Sequence, residues 1–269
     1  MKYYLFAKFY QNFTPEQLAE RCAELGFDGP TALVRDGYPL TAANLKEALP
    51  SYIRTMEAAG MEVKFADAPV NPLREDADYL VGTLAEHGIE RIRLDHIGKA
   101  VKPARELADY ARYYAEAAAK LAERHGTKAV IQLHGHCYPH NATAAYPCVK
   151  DLDPRYIGVK MDPGNNLAQE GYELFDYQIK LLGEYLTALG AKSAGIFRGE
   201  DGIWRRGFVP AQEGIADYNL IMRTLKEIDF DGPAVLMPFY NDREPDVLTE
   251  KLKDELAFFK ACEKRANEA

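Results

Sequence analysis

The sequence predicts an α/β protein of one domain, a (β/α)8 TIM barrel spanning residues 1–269, on three observations. A junction of helix, glycine and β-rich run recurs along the chain. Its spacing matches one strand plus one helix. Polar side chains then collect where the expected strands end.

The junctions are Leu25-Gly26-Phe27, Ala59-Gly60-Met61, His87-Gly88-Ile89, His125-Gly126-Thr127 and Leu189-Gly190-Ala191. A sixth, Ile228-Asp229-Phe230, has Asp at the glycine position. Glycine after a helix suits the left-handed conformation that closes the last turn. Successive intervals are 34, 28, 38, 64 and 39 residues, so one junction is disguised in the long gap. Leu152–Val159 fills it, with Pro154 as the break. A period in the thirties is one strand, one helix and two loops.

Taken in order, the chain opens on a strand at 2–9. Thr14-Pro15-Glu16-Gln17 then starts a helix, with an N-cap Thr, Pro in the first turn and Gln at the capping-box position. Further strands are expected at 29–34, 61–66, 89–95, 128–134, 156–162, 191–197 and 232–238. Residues 104–124 read as a long helix rich in Ala, Tyr and Leu, and 246–262 as the last one. Eight such units make one barrel. A doubly wound sheet rarely reaches eight, and no GxGxxG follows any expected strand.

Composition narrows the partners. The chain carries 33 basic and 41 acidic residues, net −8, which argues against a nucleic-acid or anionic-membrane footprint. Charge interrupts every apolar stretch before the ~20 residues of a spanning helix. The opening Met1–Phe6 has no signal-peptide plan. The 4 cysteines form no CxxC or metal-finger spacing, so reduced thiols in a cytoplasmic protein are expected.

In a barrel of this kind the site lies at the C-terminal ends of the strands. There the sequence places Lys8, Arg35-Asp36, Asp67, Asp95-His96, His134-Gly135-His136, Asp162, Arg198-Gly199-Glu200 and Met237–Tyr240. Four of the 6 histidines, His96, His134, His136 and His140, belong to two neighbouring strand ends. His134 and His136 alternate on a strand and point to one side, where both imidazoles can bind one divalent ion. The same pair also fits one hydrogen-bonded His and one exposed. Asp162 offers a hard anionic ligand, and Lys160 shares its parity one layer deeper. That Lys can act on substrate or serve a buried ion pair. Asn165 and Asn166 suit a hydroxyl-rich ligand or a plain turn. Trp204 is the only Trp, able to cover a sugar face or anchor its loop.

Ala23–Gly29, Ala58–Val63, Gly158–Asn165, Gly214–Tyr218 and Phe230–Pro233 occur in an order that resembles the xylose isomerase-like TIM barrel superfamily of sugar-phosphate isomerases and epimerases. The resemblance runs nearly end to end and implies one divalent metal, held by Glu, Asp, His and Glu on strands five to eight. Asp162 matches the Asp, and His134 stands at the first Glu position. Neither the strand-seven segment Ser193–Arg198 nor the strand-eight segment Val235–Tyr240 keeps its ligand, which makes this a divergent member with an altered metal site.

The expected activity is a sugar or keto-sugar isomerase or epimerase, or a related carbon–oxygen lyase, working by proton transfer next to a carbonyl. His96, His136, Lys160 and Glu200 are the candidate catalytic residues. Lys8, Arg35, Asn165, Arg198 and Trp204 are candidates for substrate binding. His134, His136 and Asp162 are candidates for a divalent metal such as Mn, Mg, Zn or Co. The partner is a small sugar-like molecule, with no nucleic acid or membrane, and the resemblance implies a homo-oligomer. The competing reading is a non-catalytic sugar-binding barrel, or a partner subunit, that has lost the metal site. The nuclease branch of the superfamily needs more metal ligands and a basic face, and this acidic chain shows neither.

Overall fold

Short, mostly buried and mainly apolar runs form a ring of parallel strands, as a sheet covered on both faces requires. The computed structural model describes residues 1–97, 104–135, 137–169, 171–240 and 244–268. Its ring strands are β1 (Tyr3–Leu5), β2 (Gly29–Pro30), β3 (Ala32–Leu33), β4 (Phe65–Asp67), β5 (Arg91–Arg93), β6 (Lys128–Gln132), β7 (Ile157–Met161), β8 (Leu186–Ala191) and, after a hairpin described below, β11 (Ala234–Leu236). Around the ring the order is β2-β1-β11-β8-β7-β6-β5-β4-β3. The two ends, β2 and β3, are consecutive in sequence and flank only Thr31. Its N–H donates to the Leu5 carbonyl at 2.9 Å. Nine strand segments thus occupy eight barrel positions.

The helices among the described residues are α1 (Pro15–Leu25), α2 (Leu45–Ala58), α3 (Ala77–Glu86), α4 (Ala104–His125), α5 (Ala142–Val149), α6 (Pro163–Ala168), α7 (Phe175–Leu182), α8 (Tyr218–Glu227) and α9 (Pro245–Glu268). The expected capping box at Thr14 is present in both directions, Gln17 N–H to Thr14 and Thr14 N–H to Gln17. Gly26, Gly60, Gly88 and Gly126 take φ of +79°, +76°, +78° and +66°, and Asp229 takes +52°. The recurring junction is therefore a left-handed helix terminus at five of its six sites. No helix among the described residues is long and apolar enough to cross a membrane.

The sixth site is a correction. Gly190 lies inside β8, and the preceding helix ends at Leu182 with Gly183 at φ +50°. Leu186–Ala191 is buried at all six positions, and a continuous apolar run cannot be told from a buried helix by periodicity. Gly190 answers a packing demand instead. A Cβ there would stand 3.0 Å from Asp162 Oδ2 and 3.3 Å from Lys160 Cε. The seventh barrel strand is thus 186–191 rather than 191–197. Ser193–Arg198 (β9) leaves the ring and pairs with Trp204–Val209 (β10) as an antiparallel hairpin, Trp204 opposite Arg198 and Val209 opposite Ser193.

Helix α9 fastens the last segment to the first. Glu263 receives the Tyr3 hydroxyl at 2.7 Å and the N-terminal ammonium at 2.6 Å.

Candidate active site

The C-terminal ends of the strands surround a cavity of about 620 Å³. Lys8, Arg35, His96, His134 and Asn165 line it, all five expected from the sequence. Arg93, Gln132 and Lys192 line it as well, and the sequence reading named none of them.

Asp162 sits beneath the cavity at the end of β7, wholly buried, as N-cap of α6. Its Oδ1 accepts the Asn165 backbone N–H at 3.0 Å. Its Oδ2 accepts Gln132 Nε2 at 2.7 Å and Asn165 Nδ2 at 2.8 Å. Lys192 Nζ completes the set at 3.2 Å from Oδ2. Lys192 follows directly on β8, so its ammonium enters the cavity wall from the strand next to β7. The Tyr218 hydroxyl fixes its backbone, accepting the Lys192 N–H at 3.0 Å and donating to the Lys192 carbonyl at 2.7 Å. The rings of Phe239 and Phe208 face the ammonium at 4.5 and 4.8 Å from their centroids. Burial lowers the Lys192 pKa, while Asp162 opposes the shift.

Lys160 lies one layer down, fully buried, with Nζ 5.3 Å from the Phe65 ring centroid. No hydrogen-bond partner reaches that Nζ among the described residues. Burial pushes its pKa down to about 8 against the pull of Asp67 and Asp162. Asp67, also buried, accepts Arg93 Nε at 2.6 Å.

Beyond the ends of β5 and β6, the His96 and His134 rings stand 4.4 Å apart, centroid to centroid. Burial, aided by the Arg93 charge, drives His96 down to about 2, and burial lowers His134 as well. Both are therefore neutral at pH 7. His134 Nδ1 lies 2.5 Å from the Gly135 carbonyl oxygen, so it carries the proton. That tautomer leaves Nε2 with a lone pair, as a base requires.

The remaining sequence candidates lie elsewhere. His136 is outside the described residues. Arg198, Glu200 and Trp204 ride on the hairpin, exposed, because the seventh barrel strand stops at Ala191. Trp204 is 65% exposed, and Arg198 Nε donates to the Gly202 carbonyl. Asp162 and Lys160 form the floor beneath the lining residues.

Among the described residues the donor set does not fit a divalent cation. Asp162 Oδ2 already accepts the Gln132 and Asn165 side-chain amides and faces the Lys192 ammonium. A metal bound there would meet the like charge of Lys192. Among the described residues, no three His, Cys, Asp or Glu side chains converge as a metal site.

An eight-position parallel barrel, with polar groups gathered at one mouth and an ion pair in its floor, is the architecture of a small-molecule site. Residues 19–262 match the xylose isomerase-like TIM barrel family, and the chain belongs to it. Among solved structures it is similar to D-psicose 3-epimerase with D-tagatose from Clostridium cellulolyticum H10. That match has a TM-score of 0.69 and 16% identity, over 98% of this chain and 99% of that one. It is similar to the probable 3-DHS dehydratase from Bacillus anthracis, at a TM-score of 0.71 and 16% identity, over 97% and 99%. A xylose isomerase-like TIM barrel protein from Mycobacterium smegmatis in complex with magnesium aligns at a TM-score of 0.69 and 16% identity, over 93% and 89%. Comparison with curated protein sequences gives no match.

Proposed function

We propose that this chain is an enzyme that moves a proton next to the carbonyl of a sugar or keto-sugar, as an isomerase, an epimerase or a related lyase. The observation that carries this reading is the pairing of a buried cation, Lys192, with a neutral base, His134, on one cavity. Similar structures bear the names of a 3-epimerase and a probable dehydratase, which supports the reaction class.

In this reading Lys192 polarises the substrate oxygen and holds the negative charge that develops on it. A preorganised charge in a water-poor site supplies the larger share of the acceleration. His134 Nε2 takes the adjacent proton, worth ~10²–10⁴-fold. His96, neutral and tilted against the His134 ring, keeps a second positive charge away from the base. Asn165 and Arg35 offer hydrogen bonds to hydroxyl groups. Its free cysteines fit a cytoplasmic setting.

The test is exchange of sugar C–H protons with D2O across a panel of ketoses and 3-keto-glycosides. Exchange abolished in His134→Ala and Lys192→Ala, with folding intact, supports the enzyme. Tight ligand binding with no exchange assigns the chain to the non-catalytic reading, which the apolar end of the eighth barrel strand at Met237 and Phe239 favours.

A further inference from the structure

We propose that Lys192 is a nucleophile as well as a cation, forming a protonated imine with the carbonyl carbon of the substrate. The inference rests on reading the cavity as a carbonyl site and names the covalent chemistry performed there.

Three observations carry it. First, Lys192 is a buried primary amine that lines the cavity, its side chain only 4% exposed. Lys160, buried in the floor, does not line the cavity. Second, the amine has a proton acceptor in place. Asp162 Oδ2 is 3.2 Å from Nζ and is itself held by Gln132 and Asn165, so it can take a proton and return it without moving. Third, the Phe208 and Phe239 rings beside Nζ keep bulk water from the place where an imine would hydrolyse. A desolvated lysine in apolar surroundings is the recognised form of an amine nucleophile. The doubled hydrogen bond of Tyr218 to the Lys192 backbone aims the side chain.

The step balances without any other reactant. The ammonium gives one proton to Asp162, and the amine lone pair attacks the carbonyl carbon. The C–N bond forms as the carbonyl π pair moves to oxygen. That oxygen receives two protons, one returned by Asp162 and one from nitrogen, and departs as water. Ammonium plus ketone becomes iminium plus water, with no change in oxidation state. The iminium then acidifies the neighbouring C–H for removal by His134 Nε2.

Borohydride trapping tests this on the full-length protein. Incubation with dihydroxyacetone or D-fructose followed by borohydride should add the mass of the reduced adduct to the peptide that contains Lys192. Acetylacetone, which converts a reactive lysine to an enaminone absorbing in the near ultraviolet, should label the same residue without any need for a true substrate. Both adducts should vanish in Lys192→Arg, which keeps the cation beside Asp162, and persist in Lys160→Met. Circular dichroism shows that each variant folds. An adduct on any other lysine overturns the assignment. Exchange into D2O with no trapped adduct overturns the covalent step and leaves the proton-transfer reading standing. Failure of exchange and trapping together overturns both.

Discussion

Lys160 is a charged side chain without a hydrogen bond among the described residues, buried under a cavity that it does not line. Such a group costs stability, and the size of the cost follows from its proton affinity. Its pKa falls from 10.5 to about 8, and each unit is about 1.4 kcal/mol. Lys160→Met, close to it in volume, should therefore raise stability at pH 7 by about 3 kcal/mol. Urea denaturation measures it. The sign can be checked with pH. Between 8 and 10.5 the unfolded chain binds the extra proton, so wild-type stability rises with pH there and the advantage of Lys160→Met fades. A gain in stability accompanied by a loss of turnover would mark Lys160 as retained for function. The residue scale is also where the sequence was most and least legible. Position at the strand ends located His96, His134 and Asn165, because polar groups beyond a buried strand collect at the barrel mouth. It passed over Lys192, the residue that occupies Asp162. The expected seventh strand began at 191, which made Lys192 its second residue rather than the one just past its end.

At the scale of elements, the same residue type serves two purposes, and only one of them writes a local signal. Gly126 has φ +66° and nothing within 4 Å of a would-be Cβ, so its role is purely conformational. Gly126→Ala should cost about 1 kcal/mol, the strain of a left-handed alanine, and leave the cavity untouched. Gly190 has the opposite profile. A Cβ there would crowd Asp162 and Lys160 at 3.0 and 3.3 Å, so Gly190→Ala should shift the ion pair by a few tenths of an ångström and reduce kcat well beyond its effect on melting temperature. Thermal melts and steady-state kinetics on the two variants separate these roles. Helix termini were legible because glycine, proline and capping side chains act over a few residues. A strand such as Leu186–Ala191, buried throughout, has no alternation to reveal it. Misplacing that one element carried Arg198, Glu200 and Trp204 into the expected site, although the hairpin holds them in solvent.

Across the whole molecule, the fold was legible because its period is global and survives one misassigned repeat. Membership of the xylose isomerase-like family follows from residues 19–262, but the arrangement of charge is this chain's own. A fixed ammonium holds the buried carboxylate, so chelation should leave both melting temperature and turnover unchanged. Dialysis against EDTA, followed by calorimetry and the exchange assay, checks this. Loss of either property on chelation, restored by added divalent ion, would contradict the donor geometry described above.

The strand order has one more implication, and it concerns assembly. β11 is inserted between β1 and β8, so the first strand meets its neighbour from the far end of the chain. During synthesis β1 can pair with β2 early, but its other edge stays open until residues 234–236 leave the ribosome. β8 waits with an unpaired edge for the same strand. The β1 edge stays exposed through most of translation and the β8 edge through its later part, an invitation to mispairing. The nascent barrel is therefore most vulnerable to aggregation, and most in need of a chaperone, just before β11 arrives.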